Sequence, residues 1–242
     1  MKLIGLDSSG LVASVAVWED GIILAEYTTN YKKTHSQTLL PMLAELKEQL
    51  DLDLNTVDAI AIACGPGSFT GLRIGSATAK GIGLVLECPI VEVPTLEGLA
   101  YNLWGSDRVI CPMMDARRKQ VYTGLFAFSE EESGNGQERR LVTLAEQTAM
   151  PAEELLDKIN ELGRPVVFLG DGVPVFEEMI REKMRVPYSL APASCNRQRA
   201  ASVACLGALY YKEGKTVSAD DHAPIYLRKS QAEKEGPQSF EI

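Results

Sequence analysis

The chain has 242 residues, 45% hydrophobic and 24% charged, with a formal net charge of −9. That length fits one large domain or two small ones with ample apolar material for a core. The acidic balance argues against wrapping nucleic acid unaided, no apolar run approaches the roughly 20 residues that span a bilayer, and the five scattered cysteines, with no CxxC pair, point to a reduced, cytoplasmic protein.

In chain order, "KLIGLDSS" reads as a strand running into a turn, and its interrupted apolar stretch excludes a signal peptide. "LVASVAVW" is a second strand, Asp20-Gly21 a tight-turn signal, and "IILAEYT" a third strand. A helical segment runs from about Ser36 to Leu50; Pro41 lacks an N–H, so this helix is either kinked there or starts late. "VDAIAIA" is a buried strand, 70–86 a helix and "CPIVEVP" a short strand, after which Thr95 is placed to cap the helix "LEGLAYNLW".

After Gly105-Ser106-Asp107 the plan repeats. "RVICPMMD", "QVYTGLFAF" and "RRLVTLAEQ" are strands, with 129–138 expected as a long exposed hairpin loop. Pro151 opens the helix "AEELLDKINELG", "RPVVFLG" is a strand, and "VPVFEEMIREKM" and 196–213 are helices. Two βββαβα units predict a two-lobed α/β protein. The first lobe takes 1–106, completed by the helix at about 196–213, and the second takes 107–195. The polar tail 229–242 is expected to be disordered.

The stretch "GPGSFTGLRIG" follows a strand and opens a helix, the setting of many phosphate loops. It satisfies neither standard pattern. No Gly-Lys-Ser/Thr is present, and Gly65 and Gly67 are followed by Thr70 where G-x-G-x-x-G needs glycine. Gly71, Gly75, Ala79 and Gly83 instead form one bare helix face. An interior glycine costs about 1 kcal/mol relative to alanine, so something must approach that face closely, either the chain's own sheet or another protein. Leu39, Leu43, Leu46 and Leu50 make the apolar stripe of the preceding helix, with Leu40 and Met42 left over for a second surface. Arg117-Arg118-Lys119 is a short basic cluster on the surface.

"GLDSS", "HSQTLLP", "ACGPGSFTGLRIG", "PTLEGLA" and "DARRKQVYTGLF" together resemble the TsaB (YeaZ) family across nearly the whole chain. The resemblance implies the actin/Hsp70/sugar-kinase type of fold, each lobe built on a ribonuclease H-like unit. It also implies a role beside a paralogue, TsaD, which makes threonylcarbamoyladenosine next to the anticodon of tRNAs reading codons that begin with A. In that reading the chain is a non-catalytic partner that scaffolds and activates TsaD together with the ATPase TsaE. It pairs with itself when alone and meets tRNA only through the complex. It carries no cofactor of its own, ATP and a divalent metal belonging to the partners.

The catalytic relative has an H-x-x-x-H metal motif, whereas here His35 is followed four residues on by Leu39 and the other histidine is His222. Its nucleotide turn, GGVAAN, is matched here by "LGDGVPVF", where Asp171 adds a carboxylate and Pro174 removes a donor. The expected partner surface comprises Leu39, Leu40, Met42, Phe69, Gly71, Arg73, Gly75, Ala79 and Gly83. A residual nucleotide site would use Asp7, Ser8, Ser9, Gly170 and Gly172, although Asp7 with its two serines reads first as ordering a turn. A weak ATPase or kinase of the same fold is the alternative. A peptidase has no support, since HExxH is missing and adjacent His35-Ser36 does not make a triad.

Overall fold

The computed structural model describes residues 1–31, 35–133 and 136–228, with backbone alone for 131–133 and 136–138. The first sheet begins as a meander of β1 (Lys2–Asp7), β2 (Ala13–Glu19) and β3 (Ile22–Thr29). Asp20 and Gly21 join β2 to β3 with φ of 45° and 92°, the left-handed pair that a two-residue hairpin requires. β4 (Ala59–Gly65) and β5 (Ile90–Pro94) then add parallel to β1, giving the order β3-β2-β1-β4-β5. The second sheet comprises β6 (Val109–Asp115), β7 (Gln120–Ser133), β8 (Gly136–Pro151), β9 (Val166–Leu169) and β10 (Tyr188–Leu190). Its order, β10-β9-β6-β7-β8, is the same topology read from the other edge. This duplicated arrangement is the actin/Hsp70/sugar-kinase type of fold.

The helices cover the sheets on both sides. α1 (Leu39–Gln49) and α2 (Phe69–Leu86) lie on one face of the first sheet, where Leu39, Met42, Leu43, Leu46 and Ala79 join Ile4, Leu6, Ile60 and Ile62 in one core. α6 (Ala200–Lys212) returns from the second half of the chain to the opposite face, packing Val203, Ala204 and Leu206 on Leu3, Ala61 and Val93. Its start is held by an acid at the positive end of the helix. Glu26 accepts from the Ala201 N–H at 3.0 Å and pairs with Arg199, while Ser14 Oγ accepts from the Ala200 N–H at 2.9 Å. α4 (Ala152–Leu162) and α5 (Val173–Lys183) cover the second sheet. α3 (Thr95–Tyr101) joins the halves: Leu96, Leu99 and Ala100 pack among Ile110, Met114 and Phe126 of the second sheet.

Several local expectations change. α1 starts late, at Leu39, so Pro41 sits in its first turn, where no N–H is needed. Thr95 is the first residue of α3 rather than its cap, and its hydroxyl accepts from the Gly65 N–H at 3.0 Å. The expected loop 129–138 is mostly strand: β7 and β8 stay paired out to Ser133 and Gly136, because backbone ladder bonds do not depend on the acidic side chains there. Its tip, 134–135, lies outside the described residues, as does the tail 229–242. β10, a three-residue strand directly after Pro187, is absent from the sequence expectations; it is too short to carry a periodic signal.

The bare face of α2 is turned inward. A Cβ at Gly71 would collide with the Ser8 carbonyl oxygen, one at Gly75 with Ser8 Oγ, and one at Gly83 would press on the Cys88 carbonyl at 3.1 Å. Gly81 is the opposite case, an exposed mid-helix glycine with nothing within 4 Å. The two positions predict opposite outcomes for one substitution. Gly71→Ala should lower stability by about 2–3 kcal/mol, whereas Gly81→Ala should raise it by about 0.5–1 kcal/mol through helix propensity. Urea denaturation of the two variants measures both.

Candidate functional site

Two concave surfaces flank α2. The first is a groove of about 490 Å³ between α1 and α2, walled by Leu40, Leu43, Ala77, Ile82, Val85 and Leu86, with Gly81 at its floor and Lys47 at its side. Leu40 is 53% exposed and Val85 81%, and Leu84 beside them is 52% exposed. A contiguous apolar patch of this kind marks an interaction surface. Ala77, Gly81 and Val85 form a second small stripe on α2, offset from the buried one.

The structure spreads the residues expected at the partner surface over three places. Leu40 lines the groove, but Leu39 and Met42 are buried in the first core, because α1 turns that side to β2 and β3. Gly71, Gly75, Ala79 and Gly83 are all buried against the chain itself, so no partner helix can lie on them. Phe69 and Arg73 sit at the far end of α2, away from the groove lining. The Arg73 guanidinium covers the Phe69 ring at 4.0 Å, and the Tyr226 ring meets Phe69 at 4.9 Å. Gly81 and Val85 are not among the residues expected at the partner surface, although the every-fourth spacing of Ala77, Gly81 and Val85 is present in the sequence.

The second surface is a cleft of about 270 Å³ between the sheets, lined by Ser9, Gly10, Gly67, Ser68, Asp115, Arg117, Tyr122 and Asp171. Of the five residues expected for a residual nucleotide site, only Ser9 lines it. Asp7 is buried, and its Oδ1 accepts from the Ser9 N–H at 2.9 Å and the Ser9 hydroxyl at 2.7 Å, which orders the turn after β1. Ser8 is buried with its hydroxyl donating to the Gly71 carbonyl at 2.9 Å. Gly170 and Gly172 lie against the Met113 carbonyl, and their N–H groups bond to the Asn196 and Met113 carbonyls at 3.1 and 2.9 Å. The Ser68 N–H at the start of α2 bonds to the Ser9 carbonyl at 2.6 Å. The N–H groups of Ser68, Gly170 and Gly172 are thus already engaged, and Asp115 and Asp171 line the space. This set does not fit a nucleotide phosphate.

The rim of the cleft carries three consecutive non-glycine residues with positive φ. Arg117, Arg118 and Lys119 close the β6–β7 hairpin with φ of 64°, 54° and 60°. Each non-glycine residue in that region costs about 1–2 kcal/mol. Asp115 holds the turn, accepting from the Arg117 N–H at 2.8 Å and its guanidinium at 3.1 Å. His35 is half-buried with Nε2 2.9 Å from the Gly10 carbonyl, while His222 is buried with Nδ1 2.6 Å from Glu92. Among the described residues no group of three or more His, Cys, Asp and Glu could hold a metal ion, and no helix is long and apolar enough to cross a membrane.

Burial pushes the Asp7 carboxyl up from 3.8 to about 6, against the lowering effect of its bonds from Ser9. The folded state holds this proton more tightly than the unfolded chain, so stability is lost as pH rises from about 3.8 to 6. Asp7→Asn keeps an oxygen for Ser9 and removes the buried charge. Relative to the variant, the parent protein should lose about 3 kcal/mol between those pH values, read from urea midpoints at pH 4 and pH 7.

With the geometry in hand, the chain can be set beside known proteins. The family model described as "TsaD: tRNA N6-adenosine threonylcarbamoyltransferase" matches residues 22–236. The "tRNA threonylcarbamoyladenosine biosynthesis protein TsaB" of Bacillus subtilis is 34% identical over 96% of this chain and 96% of its own. The Escherichia coli protein of the same name is 30% identical over 98% of this chain and 99% of its own. The solved structure "YeaZ from Pseudomonas aeruginosa" superposes with a TM-score of 0.73 at 28% identity, covering 93% of this chain and 100% of that one. By sequence along its whole length, and by a fold that agrees, this chain belongs to the TsaB (YeaZ) family of tRNA threonylcarbamoyladenosine biosynthesis proteins.

Proposed function

We propose that the chain serves the formation of threonylcarbamoyladenosine beside the tRNA anticodon as a docking partner of TsaD, not as a catalyst. The observation that carries this reading is the α1–α2 groove. Its apolar walls are exposed to water, and Gly81 leaves an opening at mid-helix through which a second helix backbone can come close. Covering such a patch is favourable by roughly 25 cal/mol for each Å² of apolar surface removed from water. TsaD, as a paralogue, offers a related face; a second copy of this chain covers the same groove when TsaD is absent, about a two-fold axis.

The rest of the assignment rests on the family to which the chain belongs. TsaE joins the complex, ATP and a divalent metal are bound by the partners, and tRNA is engaged tightly only by the assembly, in keeping with the net charge of −9. The reaction takes place in the cytoplasm, where tRNA is. Weak ATPase or kinase activity is disfavoured by the engaged donors and the carboxylates of the cleft.

Two variants test the docking. Gly81→Leu fills the open position with a good helix former, and Val85→Asp puts a charge on the apolar wall. Both should keep the far-ultraviolet circular dichroism and melting temperature of the parent, yet co-elute with the cognate TsaD at least tenfold less on a sizing column. Folded variants that bind TsaD normally would move the interface elsewhere. ATP turnover by the purified chain that disappears in Asp171→Ala would overturn the non-catalytic reading.

A further inference from the structure

The aromatic cluster at the start of α2 and the strained turn at the cleft rim belong to one continuous strip. Arg73 lies over Phe69, and its Nε donates to the Tyr226 hydroxyl at 3.3 Å. Tyr226 is 39% exposed, so one ring of the cluster is open to solvent. Two residues on, the Arg228 guanidinium donates to the Ala116 carbonyl at 2.6 Å, which ties this segment to the second half of the chain. Ala116 leads directly into Arg117, Arg118 and Lys119. The strip therefore begins on the first sheet's helix, crosses the mouth of the cleft and ends on the β6–β7 hairpin.

Charge is concentrated there against the trend of the molecule. Arg117 is partnered by Asp115, yet its side chain is 87% exposed. Arg118 makes no hydrogen bond or ion pair among the described residues. The carboxylate whose field Lys119 reaches, Glu153, is already engaged by Lys183. A hairpin could be closed by Asn-Gly with less strain. Here three consecutive left-handed residues are instead long and cationic, and strain of this kind collects where a segment has a task other than folding.

We infer that this strip binds the sugar–phosphate backbone of a single-stranded stretch of RNA, with phosphates at the Arg117–Lys119 turn and Arg228 and a base against Tyr226. A track of cations ending on an exposed aromatic is what a single strand needs, since phosphates take the charge and bases stack without regard to sequence. An acidic protein surface would use the cations alone and leave the aromatic end without a role. The excess negative charge elsewhere confines a polyanion to the strip. The choice of RNA as the polyanion rests on the reading of the chain as part of tRNA modification.

The test uses the full chain and a fluorescently labelled RNA anticodon stem-loop, with anisotropy measured from about 25 to 200 mM salt. Binding should be measurable at the lowest salt and weak at the highest. The double variant Arg118→Glu/Lys119→Glu should bind at least tenfold more weakly, with the slope of log affinity on log salt reduced by about 1.5–2. Tyr226→Ala should weaken binding about five- to tenfold with the slope unchanged, the mark of lost stacking. Arg118→Gly relaxes a positive φ and removes a cation, so it should melt higher and bind RNA less. Unchanged affinity and slope in the double variant would overturn the proposal, as would no binding at the lowest salt. Displacement of RNA by polyglutamate as effectively as by unlabelled RNA would assign the strip to an acidic protein instead. Co-elution of the same variants with TsaD is scored separately. Its loss alone implicates the partner reading, and loss of the salt response alone implicates the strip.

Discussion

The arrangement of this protein depends on how closely the turn after β1 approaches α2. The Ser8 carbonyl and hydroxyl occupy the places where side chains at Gly71 and Gly75 would be, and the Ser9 carbonyl does the same at Gly67. That contact sets the angle at which α2 leaves β4, and with it the groove on one side of the helix and the cleft at its start. It also decides the chemistry of the glycine-rich turn. A turn whose Ser68 N–H bonds to the Ser9 carbonyl, and whose first glycine leaves room for the Ile225 carbonyl where a Cβ would be, holds protein where a phosphate loop would hold an anion.

Around the cleft, polar groups are used to build turns. Asp7 orders Ser9, Asp115 orders Arg117, and Asp171 Oδ1 accepts from the Asp115 N–H at 3.2 Å. Burial raises the Asp171 carboxyl as it does that of Asp7. A fold of the kinase type is retained, with the same duplicated sheets, while carboxylates and backbone carbonyls take up the donors between them. Function resides in specific side chains and not in the topology that carries them.

The surface of α2 is divided by length along the helix. Its middle and end present apolar and small residues beside α1, suited to a packed protein contact. Its start presents an arginine stacked on aromatic rings, next to cations from the second half of the chain. The two surfaces share one helix but lie at different heights along it, so each can be altered while the other is kept. α6 supports both by closing the back of the first sheet, where Gly207 meets Ala61 and Gly5 meets the Ala200 carbonyl.

Much of the fold was legible from local signals. The apolar runs of β1 to β3, the Asp20-Gly21 turn, Pro151 before α4 and the duplicated order of elements each follow from propensity and pattern over a few residues. The family, too, was carried by short motifs spread over the chain. Other features were decided only by packing. The stripe Gly71, Gly75, Ala79, Gly83 announces a close approach, but spacing cannot say whether the neighbour is the chain's own turn or a partner, because a bare helix face suits both. Met42 reads as surplus on a helical wheel and is buried because the first sheet is wide enough to reach it. Phe69, Ala116 and the 226–228 segment stand far apart in sequence and come together only because the last described segment crosses from Gly65 to Ala116. Sequence determines which faces a helix has; the sheet it lands on determines which face is left for another molecule.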